Sequence, residues 1–292
     1  MTIAEVASLL IRTSLFAVVV SLGMASSWRD ATWLVRSPAL LLRSVLSMQV
    51  LTPLLAVGLA VALPLHPGVK AAIVVLSLSP VPPVLPGKEL QVGGNRPFAI
   101  SLLTVSALLS IVIIPASLAL LNAFSPLSLG IGASVIAKLV ATSIFIPLVV
   151  GLLVGALAPE FGLRASPFVA KAGTGLLVLG ILPPLIVALP AMRGLLGDGT
   201  LAVCAVLCLS ALLIGHLLGG PDRGDRTVLA LSTAMRHPAV AIALAKSNFA
   251  DQPLAVPAIL LYLIVAVVVR APYLKMSVRH RAEWVARGEA YR

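Results

Sequence analysis

The chain consists of long apolar stretches separated by short polar connections, and this pattern limits the possible folds more than any other feature. About 20 consecutive apolar residues are needed for a helix to cross the hydrocarbon core of a bilayer. Breaks at proline, glycine and charged residues define nine such stretches: 3–27, 38–63, 69–94, 97–121, 129–157, 168–190, 199–219, 225–249 and 253–276. Lipid offers no water to an unpaired backbone, so these stretches favour helices. The sequence predicts an all-α polytopic membrane protein with one transmembrane domain over 1–276 and a basic tail over 277–292.

The composition excludes a water-soluble fold. Hydrophobic residues make up 60% of the chain and charged residues only 11%, against roughly 45–50% and about 25% in soluble domains. A net charge of +11 also occurs in nucleic-acid-binding proteins, where the cations cluster on one face. Here they lie between the apolar stretches and in the last residues, from Arg270 to Arg292. We therefore expect membrane lipid as a partner and no nucleic acid.

The distribution of the cations predicts the orientation of the chain in the membrane. Nine spans place the two termini on opposite sides. If the N-terminus is outside, the inward connections and the tail carry most of the basic residues: Arg29, Arg36, Arg96, Arg164, Arg223, Arg226, Lys275, Arg279, Arg281, Arg287 and Arg292. The outward connections then carry Lys70 and Arg193. Because basic residues prefer the cytoplasmic side, we expect an integral plasma (inner) membrane protein with its C-terminus in the cytoplasm.

Two of the nine stretches contain residues that interrupt a helix. These are Pro80, Pro82, Pro83, Pro86 and Gly87 in the third stretch and Pro238 in the eighth. Each proline removes a backbone donor and clashes with the preceding turn. The breaks occupy corresponding places in two inverted halves, 3–121 and 168–276, with 129–157 as a linking helix. Paired interruptions of this kind point to a transporter binding site, so we expect two broken helices that cross near the bilayer midplane.

Polar residues around the two breaks are the candidates for binding a substrate or an ion. The ends of half-helices present free N–H groups and carbonyl oxygens, which can hold an anionic group or a small cation. The candidates are Lys88, Glu89, Asn95, Ser232, Arg236 and His237. A cation at the bilayer centre costs about 2.5–3.5 kcal/mol, so Arg236 is expected to face the protein interior and to have a partner there.

The sequence leaves several alternatives open at these positions. Glu89 can pair with the adjacent Lys88, either residue can reach the opposite break, or both can extend to water near the cytoplasmic end. His237 can titrate near neutral pH or act as a neutral hydrogen-bonding group. The prolines can also merely kink packed helices. Cys204 and Cys208 share one helix face and are interpreted as buried packing residues, since their spacing matches no metal site or disulfide framework.

Short motifs in a fixed order cover nearly the whole chain. They are Leu22-Gly23-Met24, Trp28-Arg29-Asp30, Arg36-Ser37-Pro38, Met48-Gln49 with Pro53-Leu54, Ser79-Pro80, Gly94-Asn95, Lys138 with Pro147 and Gly151, and the segments 214–219 and 235–245. In these motifs the chain resembles the bile acid:sodium symporter family, as a divergent bacterial-type member. The resemblance implies a core subdomain that contains both crossing helices, a panel subdomain, and organic anions that move through the cleft between them. Some members have nine helices, which agrees with an unpaired helix at 129–157.

The resemblance also shows that most of the residues that hold sodium in that family are replaced. The positions of the family's ligands carry Leu85 and Pro86 in the first break and Ser232, Arg236 and His237 in the second. Gln49 remains, and Thr104 offers one hydroxyl. Hard cations need several oxygen ligands, and the compensating carboxylate is lost. The usual two-sodium coupling is therefore not expected.

The replacements suggest another source for the positive charge. A guanidinium at Arg236, together with Lys88, can take the place of sodium. Transport would then be facilitative, or linked to protons through His237 or Glu89. We expect a secondary transporter of a small organic anion, bile-acid-like or another carboxylate or sulfonate, that works by alternating access without a cofactor and is compatible with a monomer.

Three alternatives remain beside this expectation. Arsenite- and auxin-type efflux carriers share the general architecture, but arsenite carriers use a cysteine near the first break, where this chain has Ser79. A receptor or channel without alternating access is the second. An intramembrane enzyme, the third, is disfavoured because catalysis needs clustered groups, whereas the aspartates fall in predicted connections.

Overall fold

The computed structural model describes the backbone of residues 3–123 and 133–286, and the side chains of 5–123 and 134–279. These residues form helices and connections, without strands. Eight segments within them are long and apolar enough to cross a membrane. The third predicted stretch is not among the eight because its two helical pieces, of 12 and 7 residues, are separately too short. The prediction of an all-α polytopic membrane protein is confirmed.

The helices are numbered in chain order. They are α1 Ile3–Met24, α2 Pro38–Ala62, α3 Pro67–Leu78, α4 Leu85–Gln91, α5 Arg96–Ala123, α6 Ser134–Leu157, α7 Pro159–Gly194, α8 Thr200–Leu218, α9 Arg223–Ala234, α10 Pro238–Asn248 and α11 Ala255–Ala286. The third predicted stretch is thus α3 and α4, and the eighth is α9 and α10. Both interruptions that the sequence predicted are present.

Two predicted boundaries differ from the structure. The helix expected from residue 168 begins at Pro159 and runs for 36 residues through four internal prolines. Neighbouring helices and local adjustments can satisfy the backbone groups that prolines free in membrane helices. Residues 277–286, the first part of the predicted basic tail, continue α11 without a break. Residues 287–292, the rest of the predicted tail, lie outside the described part of the chain.

Helices α1, α6 and α7 pack together through glycines. A Cβ atom on Gly151 of α6 would lie 2.8 Å from the Cα of Gly23 in α1, and one on Gly173 of α7 would lie 3.1 Å from the backbone nitrogen of Val18. Helix packing in membranes relies on such close backbone approach, because lipid provides no hydrophobic drive for association. A small cluster including Val19, Leu148 and other side chains is separate from the main core.

The larger core lies mainly among the other helices, with Ile136, Val140, Ile144 and Met192 contributed by α6 and α7. The two broken segments meet inside it. Helix α3, before the first break, packs against α10, which follows the second break. Helix α4, after the first break, packs against α9, which precedes the second. This exchange of halves means that the two broken segments run antiparallel, with their breaks side by side.

Candidate functional site

The guanidinium of Arg236 lies at the contact between the two breaks. Its side chain is 1% exposed. Nη1 donates to the carbonyl oxygen of Ser79 at 3.1 Å, and Nη2 donates to that of Met48 at 2.9 Å. One side chain therefore joins the second broken segment to the first and to α2. The expectation that Arg236 faces the interior is met, and its partners are backbone oxygens rather than a carboxylate.

Prolines explain why these two carbonyl oxygens are available. In a continuous helix the oxygen of Ser79 would accept from residue 83, which is Pro83 and has no N–H. Around Met48 the helix is of the wider π type, over Leu46–Leu51, and the Thr52 N–H donates to Ser47. The residue next in that register to Met48 is Pro53, which again has no donor. Both oxygens are left to the guanidinium.

A third carbonyl freed by a proline is also bound by a side chain. The oxygen of Ala234 at the end of α9 would accept from residue 238, which is Pro238. The hydroxyl of Tyr262 in α11 donates to it at 2.9 Å. The backbone of the second break is further held by the His237 N–H, which donates to the oxygen of Pro80 at 2.9 Å. At the crossing, backbone groups that prolines leave without helical partners are therefore hydrogen-bonded to other parts of the chain.

The predicted break residues divide into two groups. The first break spans Ser79 to Val84 and includes Pro80, Pro82 and Pro83. Pro86 and Gly87, which were predicted as break residues, lie inside α4, and Pro238 is the first residue of α10. Proline is tolerated in the first turn because that N–H has no intrahelical partner. These residues therefore begin the second half-helices rather than interrupt them.

Glu89 and Lys88, adjacent in sequence, have different environments. Glu89 is 0% exposed, and its Oε1 accepts from the Ser232 hydroxyl at 2.6 Å. Its Oε2 has no hydrogen-bond partner. The side chain of Lys88 is exposed. Of the alternatives open from the sequence, Glu89 reaches the opposite broken segment, and Lys88 does not join Arg236 at the crossing.

Two further polar contacts extend along the same antiparallel pair of segments. Asn95 donates from Nδ2 to Asp225 in the first turn of α9 at 2.9 Å. The hydroxyls of Ser47 in α2 and Thr233 in α9 lie 2.8 Å apart, and both are buried. Asn95 therefore adds a contact at the start of α9, and Ser47 adds one near its end.

The side chains of the remaining predicted residues lie around this network without hydrogen-bonding to it. Gln49 is 8% exposed, and neither of its amide atoms has a partner. It lines a narrow cleft between α2 and α5 with Ser44, Ser106 and several leucines and valines. Thr104 is half-buried and donates to the carbonyl of Ile100 in its own helix at 3.0 Å. The imidazole of His237 is buried, and both ring nitrogens have no partner.

Four residues at the site were not predicted from the sequence: Ser47, Thr233, Tyr262 and Arg270. The first three hydrogen-bond across helices. Arg270 of α11 is 6% exposed, donates from Nε to the carbonyl of Ala266 at 2.8 Å, and interacts electrostatically with Glu89. An arginine 15 residues into an apolar helix is itself an indication of a functional site, and it could have been read from the sequence. The hydroxyl residues offered no comparable indication.

Metal sites of the ordinary kind do not occur among the described residues. No group of three or more His, Cys, Asp or Glu side chains is close enough to hold an ion. Cys204 and Cys208 are free and buried, as their interpretation as packing residues requires.

Comparison with protein families supports the assignment that the fold suggests. The model of the Sodium Bile acid symporter family matches residues 13–193, which is well over half of the chain and includes the first break. The chain belongs to the sodium bile acid symporter family. A search of curated proteins gave no match. The family consists of transporters of the bile acid symporter type, so the protein is an integral membrane transporter by family and by fold.

Proposed function

We propose that the protein is a secondary transporter of a small organic anion and works by alternating access without the usual two-sodium coupling. The observation that supports the sodium-independent part is the position of Arg236. Its guanidinium takes up the two backbone oxygens that prolines free at the crossing. A sodium ion needs several oxygen ligands, and a fixed positive charge on the same oxygens opposes its binding. These residues do not fit sodium.

A tethered guanidinium can also perform the structural task of a bound cation. It joins α2 and both broken segments through directed hydrogen bonds, which charged donors make stronger than neutral ones. In this proposal the crossing is held together permanently, and the substrate does not depend on an external cation to organise it. Lys88 has no part in this replacement of the cation, because its side chain is exposed.

The balance of buried charge favours an anionic cargo. Among the described residues, the buried side chains that normally carry charge are Arg236, Arg270 and Glu89. Two cations against one carboxyl give the interior a positive potential, which attracts a carboxylate or sulfonate. The orientation with the N-terminus outside and the C-terminus in the cytoplasm of the plasma (inner) membrane remains part of the proposal, on the distribution of basic residues.

Counterflow in proteoliposomes tests the proposal. Vesicles that contain the purified protein are preloaded with one unlabelled organic anion at a time, and entry of the labelled anion is followed in sodium and in potassium buffers. We expect at least one carboxylate or sulfonate to exchange at equal rates in the two buffers. A rate that rises steeply with sodium but not with potassium would refute the sodium-independent part. Lack of exchange with every anion would refute the transport proposal.

A substitution at Arg236 sharpens the same test. Arg236→Gln removes the charge and exposes the oxygens of Ser79 and Met48. If the guanidinium stands in for a cation, this variant is expected to become more stable in sodium than in potassium, while the wild type responds to neither. Arg164→Gln is the matched control, because Arg164 is exposed and pairs with the exposed Glu160 at 3.8 Å.

A further inference from the structure

The contact between Glu89 and Ser232 is not explained by the role of Arg236. Glu89 is in α4 and Ser232 in α9, so the contact joins one half of each broken segment. The carboxyl group is fully buried, one oxygen accepts a single hydroxyl bond, and the other has no partner. Among the residues whose side chains are described, no Lys or Arg nitrogen lies within 4.0 Å of it.

Such surroundings favour a carboxyl group that carries its proton. A buried ionised carboxylate needs a paired cation or several hydrogen bonds, and otherwise the group is neutralised by a proton. Here it has one hydroxyl donor and no ion pair. A neutral acid still accepts the Ser232 hydroxyl through its carbonyl oxygen. The closed contact between α4 and α9 is therefore compatible with a bound proton and much less compatible with a bare charge.

The ionised form of Glu89 can be stabilised by a neighbouring positive charge. Arg270 of α11 is buried and acts electrostatically on Glu89 from beyond ion-pair distance. The other charged groups near α4 are Lys88 on α4 itself, Arg96 at the exposed start of α5, and Arg223, Asp225 and Arg226 in the first turn of α9. Among the residues whose side chains are described, Arg270 is the buried charged group that acts on the carboxyl group.

We propose that Glu89 is a proton-binding site that couples movement of the organic anion to movement of protons. This inference rests on the proposed transport function and identifies its coupling ion. With the proton bound, the neutral carboxyl group keeps α4 against α9 through Ser232. When the site opens to water, the proton leaves to the solution, and the carboxylate that remains is stabilised by water and by Arg270. One proton is bound and one released in each cycle, so charge and atoms balance.

The protonation state can be measured without transport. The infrared spectrum of the purified full-length protein in detergent is recorded at neutral pH for the wild type, Glu89→Gln and Glu160→Gln. The amide in the first variant is isosteric and can still accept the Ser232 hydroxyl. We expect the carbonyl band of a protonated carboxyl group in the wild type and in Glu160→Gln, and its loss in Glu89→Gln. An identical band in all three proteins would overturn the proposal.

Transport driven by a pH gradient provides the second measurement. Proteoliposomes with an alkaline interior are given the labelled anion that shows counterflow, and internal pH is followed with a trapped dye. The wild type and Glu160→Gln should accumulate the anion several-fold with acidification of the lumen. Glu89→Gln should lose both accumulation and acidification, each measured relative to the counterflow rate of the same variant without a pH gradient. Accumulation in Glu89→Gln equal to that of the wild type would place the proton elsewhere and refute the inference.

The outcomes separate this inference from the transport proposal. Counterflow in the wild type without any response to the pH gradient would refute proton coupling and leave an anion carrier intact. Absence of counterflow for every anion would refute the carrier, whereas the infrared band would still decide whether Glu89 holds a proton. If Glu89→Gln fails to fold, the pH-gradient experiment on the wild type and the Glu160→Gln control decides the question of coupling.

Discussion

Replacement of Arg236 by lysine isolates the geometry of its side chain from its charge. Both residues carry one positive charge, so the cost of burying that charge largely cancels in the comparison. The guanidinium presents a planar fork that reaches the oxygens of Ser79 and Met48 at once. The shorter lysine carries a single ammonium group that cannot span the two acceptors in the same way. The variant is expected to lose one of the two hydrogen bonds.

The expected loss of stability follows from that count. A hydrogen bond to a charged group contributes about 1.5–3 kcal/mol, so Arg236→Lys should lower the free energy of unfolding by about that amount. For a chain of this size, about 1 kcal/mol corresponds to roughly 2–4 °C. The midpoint of thermal unfolding should therefore fall by roughly 3–12 °C.

The assay is thermal unfolding of the purified proteins in one detergent at one scan rate, followed by intrinsic fluorescence. Arg164→Lys serves as the control, because its exposed pair with Glu160 should contribute well under about 1 kcal/mol. Loss of the same magnitude in both variants would indicate a general effect of lysine. A midpoint for Arg236→Lys within about 1 °C of the wild type would refute the argument that both carbonyl bonds hold the crossing together.

Three further predictions concern the packing and the cargo. Gly151→Ala places a Cβ against the backbone of α1 and should destabilise the protein by about 1–3 kcal/mol. Gly175→Ala, with open space around it, should be neutral or stabilising by up to about 1 kcal/mol. The midpoints of thermal unfolding of the two variants check this prediction. Tyr262→Phe should cost about 1–2 kcal/mol in the same assay, because one buried carbonyl loses its donor; an unchanged midpoint would contradict that role. Replacement of Cys204 and Cys208 by serine should leave anion counterflow intact, and loss of arsenite movement in that variant would instead favour an arsenite carrier.

Hydropathy and proline positions predicted the arrangement of the spans because both act locally. An apolar stretch of sufficient length has to be a helix in lipid, and a proline removes a donor wherever it lies. The two broken segments could therefore be located from residues 79–89 and 235–238. The same rule placed the start of the sixth stretch at residue 168, whereas α7 begins at Pro159 and accommodates Pro167 and three later prolines within one helix.

Proline spacing explains why the oxygen of Ser79 is free, but it does not indicate what binds that oxygen. The oxygen of Ser79 is freed by Pro83, four residues later, whereas its donor is Arg236, 157 residues away. The oxygen of Met48 has the same donor at a separation of 188 residues. No local pattern selects a partner at such a distance, because that choice depends on how complete helices pack.

The same limit applies to the polar pair that follows the first break. Lys88 and Glu89 are adjacent, and consecutive residues on a helix point about 100° apart, so only one of them can face α9. The sequence by itself determined a membrane-spanning chain with two proline interruptions and with ionisable residues beside them. Only the tertiary structure decided that Glu89 lies inside against Ser232 and that Lys88 remains exposed. The physical reason is that the rotation of the short helix α4 is set by its packing against α5 and α9, which no property of its own seven residues specifies.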